Sequence, residues 1–150
     1  MSTNTDIAKL DDLIVTTVDS IRGYEYSSEH ADAGRYATFF AEMAQDRLEM
    51  LDQLQQASRA LGGTPAEYGS LAGTVHRRIE AFRRVLGGGD EAMISEIERG
   101  EDYLKQEFER AMQDEHVSAE TRAVMERCYD SVRAGHDRVS AIKHAMEEAA

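Results

Sequence analysis

Four stretches of about 25–30 residues carry apolar side chains at alternating spacings of three and four, and only short breaks separate them. That period places the apolar residues on one face of a helix, and a face of that length must be buried. The first stretch, Asp6 to His30, has Ile7, Leu10, Ile14, Val18 and Ile21 on its stripe, widened by Leu13 and Tyr24. The second, Arg35 to Leu61, has Phe39, Phe40, Met43, Ala44, Met50, Leu51 and Leu54. The third, Glu91 to Glu115, has Ile94, Ile97, Leu104, Phe108, Ala111 and Met112. The fourth, residues 119–147, has Val124, Cys128, Val132, Val139, Ile142 and Met146. No period-two alternation competes with these patterns, so the fold class is all-α.

The breaks set the topology. "ADAG" (31–34) suits a tight turn, with Gly34 free to take the left-handed conformation that ends helices, and Gly62 and Gly63 stop the second helix. "TPAE" (64–67), holding the only proline of the chain, reads as a helix start that opens a short helix over 66–86. Leu71, Val75, Ile79, Phe82 and Leu86 line one side of that helix, and Arg77, Arg84 and Glu80 the other. In "GGGD" (87–90) the chain breaks again and Asp90 is placed to cap the third long helix; Ser118 is placed to cap the fourth. Short loops make each pair of long helices an antiparallel hairpin. The intervening residues can run the length of a bundle, which is the ferritin-like arrangement: two antiparallel hairpins with a short helix in the long crossover. One such domain over residues 1–150 is expected.

Composition excludes some partners. With a net charge of −12 the chain lacks the clustered basic surface that nucleic acid requires; the arginines at 77, 78, 83 and 84 are interrupted by Glu80. No run of 18 apolar residues exists to span a membrane, so no membrane partner is expected. "MSTNTDIAKL" has no secretory signature, and one cysteine permits neither an internal disulfide nor a thiolate cluster. A cytoplasmic location is the simplest expectation. A homo-oligomer and an unidentified protein partner stay open.

One residue breaks the pattern. In "FFAEMAQDRLEML" (39–51), Arg47 falls in the middle of the apolar face, one turn after Met43 and one turn before Met50 and Leu51. A permanent charge there needs a buried partner or a route for its head to reach water.

"FAEMAQDRLEM" resembles the second-helix motif of rubrerythrins and ferritin-like proteins, F-x-E-x-A-x-x-E-x-x-H, matching it at Phe40, Glu42 and Ala44. "AQDR", "GSLAGTVHR", "ERGED" and "HDRV", in that order, resemble the bacterial family called domain of unknown function 2383. That resemblance implies a ferritin-like bundle without an assigned activity, with a stress-related role as a further expectation. A di-iron centre takes one glutamate from each of two helices and a Glu-x-x-His from each of the other two. The rubrerythrin register puts Ile14, Arg47 and Met50 at three ligand positions. "ERGED" keeps an acid at Glu101, and "RAGH" gives Arg133-x-x-His136. Two of six ligands, Glu101 and His136, therefore survive.

The resemblance thus implies a degenerate centre with no metal cofactor, and a buried polar cluster of Arg47, Glu101 and His136 in which guanidinium charge replaces metal charge. Gly100 and Gly135 lie on inner faces beside it, and room for an arginine side chain is one use for such glycines. The function expected is a metal-free structural or interaction module with no catalytic residues. The alternative is an iron- or manganese-dependent oxidase or peroxidase that builds an altered site on Glu101 and His136. A binding protein that uses the crossover face is a third class.

Other matches carry less. His76 and Glu80, one turn apart, are too few for zinc, and His76 is read as an anchor of the crossover on the bundle. Glu25, Glu29, His30 and Asp32 read as solvated helix-end charge, and Asp19 with Tyr26 as a coincidental echo of a first-helix motif.

Overall fold

The computed structural model describes residues 3–69, 80, 82–84 and 86–149. Four long helices carry it: α1 (Thr3–His30), α2 (Gly34–Ala60), α3 (Gly89–Gln113) and α4 (Ala119–Ala149), with a 3₁₀ turn at Leu86–Gly88. No strand occurs among the described residues, and the class is all-α. The periodicity places every end of the four helices within three residues of the observed one.

The breaks work differently from their sequence signals. Gly34 does not end α1 in a left-handed conformation; it is the first residue of α2. Left-handed glycines stand instead at Gly62 (φ 91°), at the other end of α2, and at Gly89 (φ 74°), where α3 begins. At the end of α2, Gly62 N–H donates to Arg59 O and Gly63 N–H to Ser58 O, both at 2.9 Å, the paired bonds of a Schellman cap. Residues 64–67 are not helical, and helix begins directly after "TPAE", at Tyr68, two residues later than the sequence signal places it; Glu67 pairs with Arg59. Phe82 is buried while Glu80, Arg83 and Arg84 are exposed. Leu71, Val75, His76, Arg77 and Ile79 lie outside the described residues.

α1 packs along α2, and α3 along α4, as two hairpins; α1 also packs on α3, and α2 on α4. Side-chain bonds fix the directions. Ser58 bonds Asp11 and Ser28 bonds Ala37 within the first hairpin, and Lys143 bonds Glu98 within the second, so each hairpin is antiparallel. α2 leaves one end of the bundle and α3 enters at the other. One helix length of about 40 Å separates them. The core forms two apolar clusters along the axis. One gathers Leu10, Ile14, Val18, Leu51, Leu54, Leu104, Phe108 and Val132, among others. The second gathers Tyr24, Phe39, Phe40, Met43, Phe82, Ile94, Ile97 and Val139.

Carboxylates join the hairpins at both ends. At one end Asp6, in the first turn of α1, accepts bonds from Ser118 N–H (3.0 Å) and Ser118 Oγ (2.6 Å) in the α3–α4 connection and from Thr121 Oγ1 (2.9 Å) in the first turn of α4. At the other, Asp90 in the first turn of α3 accepts bonds from Asp32 and Ala33 N–H in the α1–α2 connection. Asp90 therefore clamps the neighbouring hairpin instead of capping its own helix, whose N-cap is Gly88. Ser118 does cap α4, accepting from Thr121 N–H, while Asp6 holds its hydroxyl.

Burial acts to raise the Asp6 carboxyl, but the bonds from Ser118 and Thr121 outweigh it and hold the group below the ordinary value. Its stabilisation is therefore complete above about pH 4 and fades as pH falls through the lowered native value. Removing hydrogen bonds to a charged group costs about 1.5–3 kcal/mol. Asp6→Ala should lose that much at pH 7 in urea unfolding, and its stability should fall less steeply between about pH 4 and 2 than that of the parent.

Candidate functional site

Between the two apolar clusters lies a polar layer. α2 supplies Arg47, placed by the helical period between Met43 and Met50; α3 supplies Glu101, between Ile97 and Leu104. Arg47 is 0% exposed and Glu101 2%, so neither head reaches water. Arg47 Nη2 donates to both carboxylate oxygens of Glu101, at 2.7 and 2.9 Å. Arg47 is therefore a paired core residue, and not one whose stem packs while its head reaches solvent.

α1 contributes a residue that the sequence pattern gave no chemical role. Tyr24, 1% exposed, donates its hydroxyl to Glu101 Oε1. A buried tyrosine on an apolar stripe must place its O–H on some acceptor, and that was the available signal. α4 contributes an absence of side chain. A β-carbon at Gly135 would stand 2.8 Å from Met43 Cε and closer still to Arg47 Nη2, so glycine there makes room for the guanidinium.

His136 is not a member of this cluster. It is partly exposed and its Nε2 lies 2.7 Å from Asp102 Oδ1, on the rim of the α3–α4 hairpin. When protonated, it acts on Glu101 from there in favour of the carboxylate. Residue 136 is turned about 100° from the inward-facing position 135, which is the physical reason for its place. Arg133 is exposed, and Glu42 pairs at the surface with Arg138. His30 bonds Tyr26 O and stacks on the Tyr26 ring, while Glu25 binds Tyr68, so the residues at the end of α1 do not converge.

The electrostatics follow from burial. Desolvation pushes the Glu101 carboxyl above its ordinary value, opposed by the Arg47 charge and the Tyr24 hydrogen bond. The Tyr24 hydroxyl is driven well above 10, first by burial and then by the Glu101 charge, which keeps it a donor. All three contacts to Glu101 come from donors, so the geometry is that of a carboxylate; a carboxylic acid would set its own proton against one of them. The remaining guanidinium nitrogens, Nε and Nη1, are buried and make no hydrogen bond among the described residues. On the α1–α3 side a narrow cleft of about 10 Å³, room for about one water, approaches the layer, lined by Gly23, Tyr24, Phe82, Glu96, Gly100 and Glu101.

These residues do not fit a di-iron centre. Ile14 and Met50 are buried in the core, Arg47 is a cation, and both oxygens of Glu101 are engaged by Arg47. Ile14 lies in the cluster beyond the layer, and the α1 residue that reaches Glu101 is Tyr24. No group of three His, Cys, Asp or Glu side chains that could hold a metal ion occurs among the described residues.

One family model, Domain of unknown function (DUF2383), matches residues 5–114. The chain belongs to this family. The matched span contains Tyr24, Arg47 and Glu101, and ends before Gly135 and His136, so the DUF2383 segment holds the ion pair but not the glycine that accommodates it. Comparison with curated proteins gives no match.

Gly135→Ala separates crowding from helix propensity. In the parent it should destabilise by about 1–3 kcal/mol through overpacking, despite alanine's better propensity. In an Arg47→Ala background the guanidinium contact is gone and only the flexible Met43 methyl must shift, into the space left by the arginine, so the same change should cost clearly less than in the parent and come close to neutral. Urea unfolding of the four proteins measures both values.

Proposed function

We propose that the chain is a ferritin-like bundle whose interior centre has become a charge pair, and that it acts as a structural or interaction module without a metal cofactor. The single observation carrying this reading is the buried Arg47–Glu101 pair, closed by Tyr24, between the two apolar clusters of the core. Two antiparallel hairpins, with α2 and α3 running from the same end, support the ferritin-like connectivity.

An iron- or manganese-dependent oxidase built on Glu101 and His136 is the weaker reading. It would need Glu101 released from two donors and His136 turned away from Asp102. Hard divalent ions take several oxygen or nitrogen ligands, and a guanidinium at the same point repels them. No helix among the described residues is long and apolar enough to cross a membrane. The buried Cys128 thiol, pushed up to about 11 by desolvation, fits an inert core residue and a reducing cytoplasmic compartment.

Elemental analysis of protein purified without chelator tests the reading. Far less than one equivalent of iron or manganese per chain is expected, with no change in Tm on adding either ion. Stoichiometric metal that disappears on Glu101→Ala would overturn it.

A further inference from the structure

The layer of Arg47, Glu101, Tyr24 and Gly135 takes one residue from each long helix. Three of these build a receptor and the fourth fills it. Glu101 supplies one negative charge in a desolvated place, and Tyr24 fixes one of its oxygens by donating to it. Gly135 supplies a flat opening where any side chain would strike the guanidinium.

How Arg47 is held defines what the receptor prefers. Only Nη2 makes hydrogen bonds, while Nε and Nη1 are buried against the core. The site therefore offers one charge and a shape, not a full set of ligands. A planar, delocalised cation is weakly hydrated and gives up its water at lower cost than a compact ammonium or a divalent metal. One carboxylate and a phenol fall short of the ligand number that iron, manganese or magnesium demands.

We propose that this layer is a binding site for a guanidinium cation, occupied in the native chain by its own Arg47. The inference rests on the metal-free reading given above, and it predicts what an emptied site will accept.

Arg47→Ala leaves Glu101, Tyr24 and Gly135 facing the space that the guanidinium filled. Thermal unfolding of this variant is followed as guanidinium chloride is added up to about 20 mM, far below denaturing concentrations, against sodium chloride at equal ionic strength. The expected result is a Tm increase of several degrees that saturates, as binding to the native state requires. Parent protein and the Arg47→Ala, Glu101→Gln double variant should show no such rise, and methylammonium should give a smaller one in Arg47→Ala.

No saturating rise in Arg47→Ala, or an equal rise in all three proteins, overturns the proposal. If Arg47→Ala does not fold in buffer, refolding from urea with and without guanidinium reads the same difference, and equal failure in both overturns it. Arg47→Lys, which retains a tethered charge, should be folded and indifferent to guanidinium; a response matching that of the alanine variant also counts against it. Manganese added to the parent separates the two ideas. A Tm rise there defeats the metal-free reading, whereas a silent parent with an unresponsive Arg47→Ala defeats the guanidinium site alone.

Discussion

A guanidinium and a carboxylate, both withdrawn from water, meet between the two halves of this bundle's core. Burying either group alone costs several kcal/mol, and their mutual attraction offsets that only when the geometry brings them into direct contact. Every helix bears on the geometry. α2 and α3 must place Arg47 and Glu101 at one level, α1 must deliver the Tyr24 hydroxyl, and α4 must present glycine. A one-turn slip of α2 or α3 strands a charge, one of α1 withdraws the hydroxyl, and one of α4 sets a side chain against the guanidinium. The apolar clusters on either side have no such selectivity, because dispersion and water exclusion tolerate many registers.

The same logic recurs at the ends. Asp6 reaches from the first hairpin into the connection of the second, and Asp90 reaches from the second into that of the first. With Arg47–Glu101 at the middle, directional polar contacts tie the hairpins together at three levels. Since α2 and α3 are joined through a long connection, chain connectivity does little to set how one hairpin seats on the other. These contacts supply that information.

The helices were legible because a stripe of period 3.6 over 25 or more residues has one reading. Arg47 stood out because charge in the centre of such a stripe demands a partner, and Glu101 was the acid on the inner edge of α3. Tyr24 was harder to see. Its ring fits the apolar stripe of α1, and only its buried hydroxyl, which must bond something, gives it a polar task. His136 was drawn toward the cluster by a Glu-x-x-His register taken from resemblance, where the backbone turns Gly135 inward instead. Asp6 and Asp90 act on residues 112 and 58 positions away, beyond any local spacing rule. Asp90 even mimics a cap while serving another element. Gly34 and Gly62 carry the same letter, and only Gly62 has the left-handed backbone that ends a helix.

The central claim is that Arg47 and Glu101 depend on each other, and a double-mutant cycle measures that dependence directly. Arg47→Met and Glu101→Leu, singly and together, are compared by urea unfolding at pH 7. Each single change strands a buried charge and should cost about 3–5 kcal/mol. The double change should recover much of that loss, giving a coupling of about 2 kcal/mol or more, because well-packed apolar pairs replace buried ion pairs at little cost. Losses that simply add, with no recovery in the double variant, would contradict the account.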